Sequence, residues 1–155
     1  MSHGGGVVIC QLNHRNEETA ENIQRIQQPA YLVEAELMGF HGIPQLTESI
    51  EDIQNSGESF IGFKEEKLKG FISYVDEEGL IDIYRLVVHP DFFRQGIAKK
   101  LLADLLMRYE GRKFIVSTGT ANEPAKNLYQ SFGFIEQDEF EVSPGITCTN
   151  FMKQS

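Results

Sequence analysis

Apolar positions along the chain change their spacing several times, and each change marks an element. Residues 7–12 form a short run with β-branched members, which predicts a strand. Ile23, Ile26, Ala30, Val33 and Leu37 then recur at helical spacing. Pro29 predicts a kink or break in that helix, and Gly39 its stop. Residues 39–44 read as a loop from their Gly and Pro content. Thr47 is the expected cap of a short second helix with Ile50 and Ile53 inward. Residues 60–63 and 71–75 flank a charged turn at Glu65-Glu66-Lys67 and predict a hairpin. A turn at residues 76–79 leads to a third antiparallel strand, 80–89, ended by Pro90.

The strongest helical pattern covers residues 96–109, with Gly111 placed as a C-terminal cap. Residues 114–116 form a buried strand that a crossover makes parallel to the one before. Asn122 caps a helix with Pro124 in its first turn and Ala125, Leu128, Tyr129 and Phe132 on its inner face. Gly133 closes it, and a last hairpin folds around Ser143-Pro144-Gly145. The order β-α-α-β-β-β-α-β-α-β-β predicts an α/β fold: a mixed, mostly antiparallel sheet of about seven strands with helices on both faces.

With 155 residues the chain is expected to be a single domain, 1–155. It is long enough to bury roughly two thirds of its unfolded surface without a metal or disulfide. No apolar run approaches the ~18 residues of a membrane span. Residues 1–6 lack the basic flank and apolar core of a signal peptide, so a cytoplasmic protein is expected. The net charge of −9 argues against nucleic-acid binding, which needs Lys and Arg on phosphates, and weakly favours cationic small molecules. Cys10 and Cys148 make no disulfide framework, and His3, His14, His41 and His89 show no metal-ligand spacing, so no metal is expected.

The chemistry concentrates in residues 86–98, LVVHPDFFRQGIA. A strand ends, a short loop turns, and a helix begins with Gly96 and Ala98 in its first turn. Unpaired N–H groups and the helix dipole make such an end an anion site, and Arg94 adds a fixed cation, with Lys99 and Lys100 beside it. A tight turn with close packing would use the same small residues. The P-loop Gly-Lys-Ser/Thr and the three-glycine dinucleotide pattern are both absent.

Leu86-x-Val88-x-Pro90 followed by Arg94-Gln95-Gly96-Ile97-Ala98 resembles the acetyl-coenzyme A motif of the GCN5-related N-acetyltransferase (GNAT) superfamily. Asn122-Glu123-Pro124-Ala125-Lys126-Asn127-Leu128-Tyr129 and Gly133-Phe134 resemble its second hallmark. Phe93 departs from the pattern, which has Gln or Arg there.

The resemblance implies a bulged motif strand that splays from its neighbour, with the pantetheine arm in the gap. Leu86, Val87 and Val88 would give it backbone contacts, the Val88 amide meeting the thioester carbonyl. Arg94, Gln95, Gly96, Ile97, Ala98 and Lys99 would wrap the pyrophosphate. Tyr129 matches the general acid, although a core aromatic would sit in the same place. Asn122 would orient cofactor or water, or serve only as a helix cap. Period 2 puts Leu80, Asp82, Tyr84, Leu86 and Val88 on one face, and Asp82 is the expected base, with Glu34 and Glu36 in reserve. The implied reaction is direct transfer from acetyl-CoA to a small-molecule or peptide amine, without an acyl-enzyme. The acceptor pocket would lie between residues 33–44 and 140–147, and a homodimer is compatible. A non-catalytic acyl-CoA-binding sensor of the same fold is the alternative.

Overall fold

The computed structural model describes residues 6–154. The reading of the first five residues, including His3, lies outside them. The elements are β1 (Val8–Leu12), α1 (Glu17–Met38), a 3-10 turn (Pro44–Leu46), α2 (Ile50–Gln54), β2 (Ser59–Glu65), β3 (Lys67–Glu77), β4 (Leu80–Val88), a second 3-10 turn (Pro90–Phe92), α3 (Ile97–Arg108), β5 (Lys113–Gly119), α4 (Glu123–Ser131), β6 (Ile135–Ser143) and β7 (Ile146–Gln154). One seven-stranded sheet runs β1-β2-β3-β4-β5-β7-β6. Neighbours pair antiparallel except β4 and β5, which the α3 crossover makes parallel. This is the α/β class and element order that the hydrophobic pattern predicts.

Two cores sandwich the sheet. Ala20, Ile23 and Ile26 of α1 and Ile53 of α2 pack with Leu12, Phe60, Phe71 and Val87 on one face. Ile97, Leu101, Leu102 and Leu105 of α3 pack with Ile61, Ile72, Ile81, Ile83, Phe114 and Val116 on the other, a cluster that also takes Tyr129 of α4.

Three local expectations are corrected. Of the kink or break expected at Pro29, the break does not occur: the first helix runs 22 residues, with buried residues on both sides of the proline. Ser49, not Thr47, caps α2: its hydroxyl accepts from Asp52 N at 3.0 Å while the Asp52 carboxylate accepts from Ser49 N at 3.0 Å. Thr47 instead ends the preceding 3-10 turn. Tyr109 is the C-cap of α3, and Gly111, at φ +90°, sits in the turn beyond.

The register of β4 shapes the site. Ser73 faces Arg85 but Tyr74 faces Ile83, so Tyr84 is an extra, bulged residue. A bulge reverses which residues share a face. Before it, Ile81 and Ile83 lie on the α3 side; after it, Leu86 and Val88 do. Asp82 therefore lies on the α1 face, with Val87, and not beside Leu86 and Val88 as period 2 alone implies.

Candidate functional site

The β4–β5 ladder has four rungs, from Leu80↔Lys113 to Ile83↔Val116. Past the bulge the strands part, and Ser117, Thr118 and Gly119 pair with β7. His89 N donates to Lys69 O of β3 at 3.0 Å. Backbone groups alternate sides along a strand, so the amides of Leu86 and Val88 point into the fork and that of Val87 points to β3. The sheet thus carries backbone donors with no strand to receive them.

A groove of about 520 Å³ continues from this fork, lined by Leu86 and Val88, the segment from Phe92 to Lys99 except Gln95, and Pro124, Asn127, Leu128 and Ser131 of α4. Its far end is the start of α3. Gly96 is the N-cap and brings no capping side chain, and among the described residues no side chain caps the first N–H groups of the helix. Arg94 and Gly96 both hold left-handed backbone, φ +66° and +76°, which curls successive N–H groups toward one point. Glycine holds that conformation without strain at Gly96. Arg94, Gln95 and Lys99 are exposed around it. Phe93 lies on the groove wall, 43% exposed, and can offer an apolar surface but no hydrogen bond.

Titratable groups also gather near the fork. Tyr129 is 4% exposed, its ring 5.4 Å from that of Phe134 and 6.2 Å from that of Phe151. Burial, and next the charge of Glu34, push its hydroxyl well above the usual tyrosine range. Among the described residues no group hydrogen-bonds that hydroxyl. Asn122 does two things. Its Oδ1 accepts from Ala125 N at 3.3 Å, capping α4, and its Nδ2 donates to Glu34 Oε1 at 2.9 Å. Burial pushes the Glu34 carboxyl up, and the Asn122 bond partly offsets this. Glu34 in turn raises the neighbouring Tyr31, Tyr129 and Cys148. A cavity of about 180 Å³ opens one turn along α1, lined by Met38, Thr120, Ala121, Gly145, Ile146 and Thr147. It joins the two segments expected to hold an acceptor, although Phe40, His41 and Ile43 do not line it. Glu36 is exposed and outside this group. Asp82 is raised by burial and then by Glu77, and is not among the charges that act on Tyr129.

The sequence reading missed Arg85. It is 5% exposed, and its guanidinium meets Glu48 Oε1 at 2.6 Å and Glu58 Oε1 at 2.9 Å, with Gln27 Oε1 at 3.0 Å. Ser73 Oγ and Ser56 Oγ complete the shell of Glu58. An arginine inside a strand otherwise rich in apolar residues was the available signal. His14 and His89 are structural: His14 Nε2 lies 2.8 Å from Ser56 O, and His89 Nδ1 accepts from Asp91 N at 3.1 Å. No group of three metal-ligating side chains occurs among the described residues.

Residues 15–155 match the family model described as an acetyltransferase (GNAT) domain. The chain belongs to the GNAT family. A curated relative, UPF0157 protein YqkA of Bacillus subtilis (strain 168), is 40% identical over 142 residues, which cover 90% of this GNAT chain and 41% of that protein. The chain therefore spans about two fifths of that relative's length. The ribosomal-protein-S18-alanine N-acetyltransferase of Escherichia coli superposes with a TM-score of 0.76 at 19% identity, over 96% of this chain and 94% of that one. A PaiA N-acetyltransferase of Thermoplasma acidophilum, solved in complex with coenzyme A, gives 0.75 at 18% identity, over 97% and 99%. At such identities the likeness is one of GNAT fold.

Proposed function

We propose that the chain is an acyl-CoA-dependent N-acyltransferase that moves an acetyl group to a primary amine through a ternary complex. The observation that carries this is the fork: strand amides without partners lead directly to an uncapped helix N-terminus. That pairing of an extended polar arm with a pyrophosphate site is what coenzyme A needs. The bound thioester supplies an activated acyl carbon.

The Leu86 and Val88 amides pair with the arm like a missing strand. Leu86 is nearer the closed end of the fork at Ile83, so its amide, one gap-facing residue deeper than the expected Val88, meets the thioester carbonyl. A donor fixed there stabilises the oxyanion that forms on attack. The α3 amides and Arg94 hold the pyrophosphate. Tyr129, kept protonated by its burial, donates to the departing sulfur. Glu34 and Asp82, both on the α1 face, give the acceptor side a negative potential that draws an ammonium.

Titration calorimetry with acetyl-CoA, coenzyme A and NAD tests the reading. Micromolar binding of both coenzyme A forms and none of NAD is expected. Absence of coenzyme A binding overturns it. Tyr129→Phe should lower turnover by about 10²-fold with the affinity for acetyl-CoA unchanged. Intact affinity without thiol release from any amine points to the sensor reading.

A further inference from the structure

We infer that Glu34 is the proton acceptor for the attacking amine, held in register by Asn122; this rests on the acyltransferase reading above. Glu34 has no countercharge among the described residues: no Lys, Arg or His pairs with it. Glu34 lies on the inner side of α1, half-buried, and its one protein hydrogen bond among the described residues comes from the neutral Asn122 amide. The groups that face it are Tyr31 from its own helix, Tyr129 from α4 and Cys148 from β7. All three are neutral near pH 7. The nearest cationic candidate on α4, Lys126, is engaged with Glu123 and the Thr120 carbonyl. Arg85, beyond Tyr31, is saturated by Glu48 and Glu58.

A half-buried carboxylate without a cation carries a desolvation cost that an arriving cation offsets. Oε1 is fixed by Asn122, so Oε2 is the atom left for the ligand. The 180 Å³ cavity at Met38 lies one helical turn along the same face, with Thr120 and Ala121 next to Asn122 in its lining, and is where the amine would enter. Asn122 ties the two catalytic ends together. Its Oδ1 caps the helix that carries Tyr129 while its Nδ2 sets the Glu34 carboxylate. Asp82 lacks this link, and its side chain is one methylene shorter.

The step balances. The ammonium gives one proton to Glu34 Oε2. The freed lone pair forms the C–N bond, the C–S bond breaks, and sulfur leaves with its electron pair and takes the Tyr129 proton. The second proton lost by nitrogen restores Tyr129, and Glu34 releases its proton to water.

Glu34→Gln tests this without disturbing the fold, because the Gln carbonyl still accepts from Asn122. Thiol release is followed from pH 6 to 10 with n-butylamine, spermidine and a peptide with N-terminal alanine as acceptors. The variant should lose 10²- to 10³-fold in kcat/KM near pH 7, and the deficit should shrink as pH rises and the amine sheds its own proton. The Kd for coenzyme A should stay within twofold. In parallel, carbon-13 NMR titration of wild type should show a Glu34 carboxyl midpoint above the usual glutamate range that falls on adding methylammonium. A deficit equal at every pH assigns Glu34 a merely structural role and overturns the inference. So does a midpoint indifferent to methylammonium, which decides the case even if none of the three amines is acetylated. An equal, equally pH-dependent loss in Asp82→Asn with Glu34→Gln unaffected moves the base to Asp82. Failure of wild type to bind coenzyme A is the separate failure of the acyltransferase reading.

Discussion

Two sets of carboxylates are withdrawn from solvent on the α1 side of the sheet, and they are finished differently. Glu48 and Glu58 close on Arg85, with Gln27, Ser56 and Ser73 filling the remaining hydrogen-bonding positions. Burial alone would raise Glu58, but the Arg85 and serine bonds outweigh it and hold its carboxyl below the usual range. Glu34 receives one amide and stays raised. The first set joins β4, α1 and the loops before α2 and β2 into one unit. The second leaves a lone pair for something that is not protein. Satisfied groups hold the fold here, and the unsatisfied one marks where chemistry can occur.

Opening the clamp is the most damaging way to break this contrast. Arg85→Leu strands two carboxylates, and a loss of about 3–5 kcal/mol is expected in urea unfolding. Next, Gly96→Ala forces a side chain into left-handed backbone where no neighbour crowds it. About 1–2 kcal/mol of strain should appear, together with weaker coenzyme A binding. Asn122→Ala removes a helix cap worth about 1 kcal/mol and unties Glu34 from α4, so turnover should fall further than stability does. The smallest effect is the most diagnostic. The folded-state pKa of Glu34 lies above its unfolded value, so its favourable contribution is full in acid and is lost as pH rises through the folded value. Glu34→Gln, which mimics the protonated form, should match wild type near pH 4 and gain stability over it by pH 8. Glu58 has the opposite sign: its contribution is full above the unfolded glutamate value and fades as pH falls through the lower folded one. Denaturation curves at both pH values separate the two.

Much of the frame was legible because it rests on local periodicity and punctuation. Gly39 at φ +63°, the Asn122 cap and Gly133 at φ +87° stand where their residue types predict. The parallel β4–β5 pair followed from the helix between them. The motif residues from Leu86 to Lys99 and Tyr129 were named from sequence; the structure sets most of them around the fork and groove, with Tyr129 buried on α4, and their roles are proposals. What escaped was non-local. Tyr84 is a bulge only because of how β3 pairs across from it, and that one residue decides the face of Asp82. Arg85 meets partners 27 and 37 positions away in the chain, beyond any window of periodicity. Glu34 and Asn122 are 88 positions apart. Their bond exists only once α1 and α4 have packed.

The four-rung ladder between β4 and β5 has a mechanical consequence. It is the backbone seam between one half-sheet, β1 to β4, and another, β5, β7 and β6. A donor arm hydrogen-bonded to Leu86 and Val88 would continue the edge of β4 where β5 has turned away. Loading would therefore brace the open edge of β4 past the last rung, and amide exchange at Leu86 and Val88 would slow.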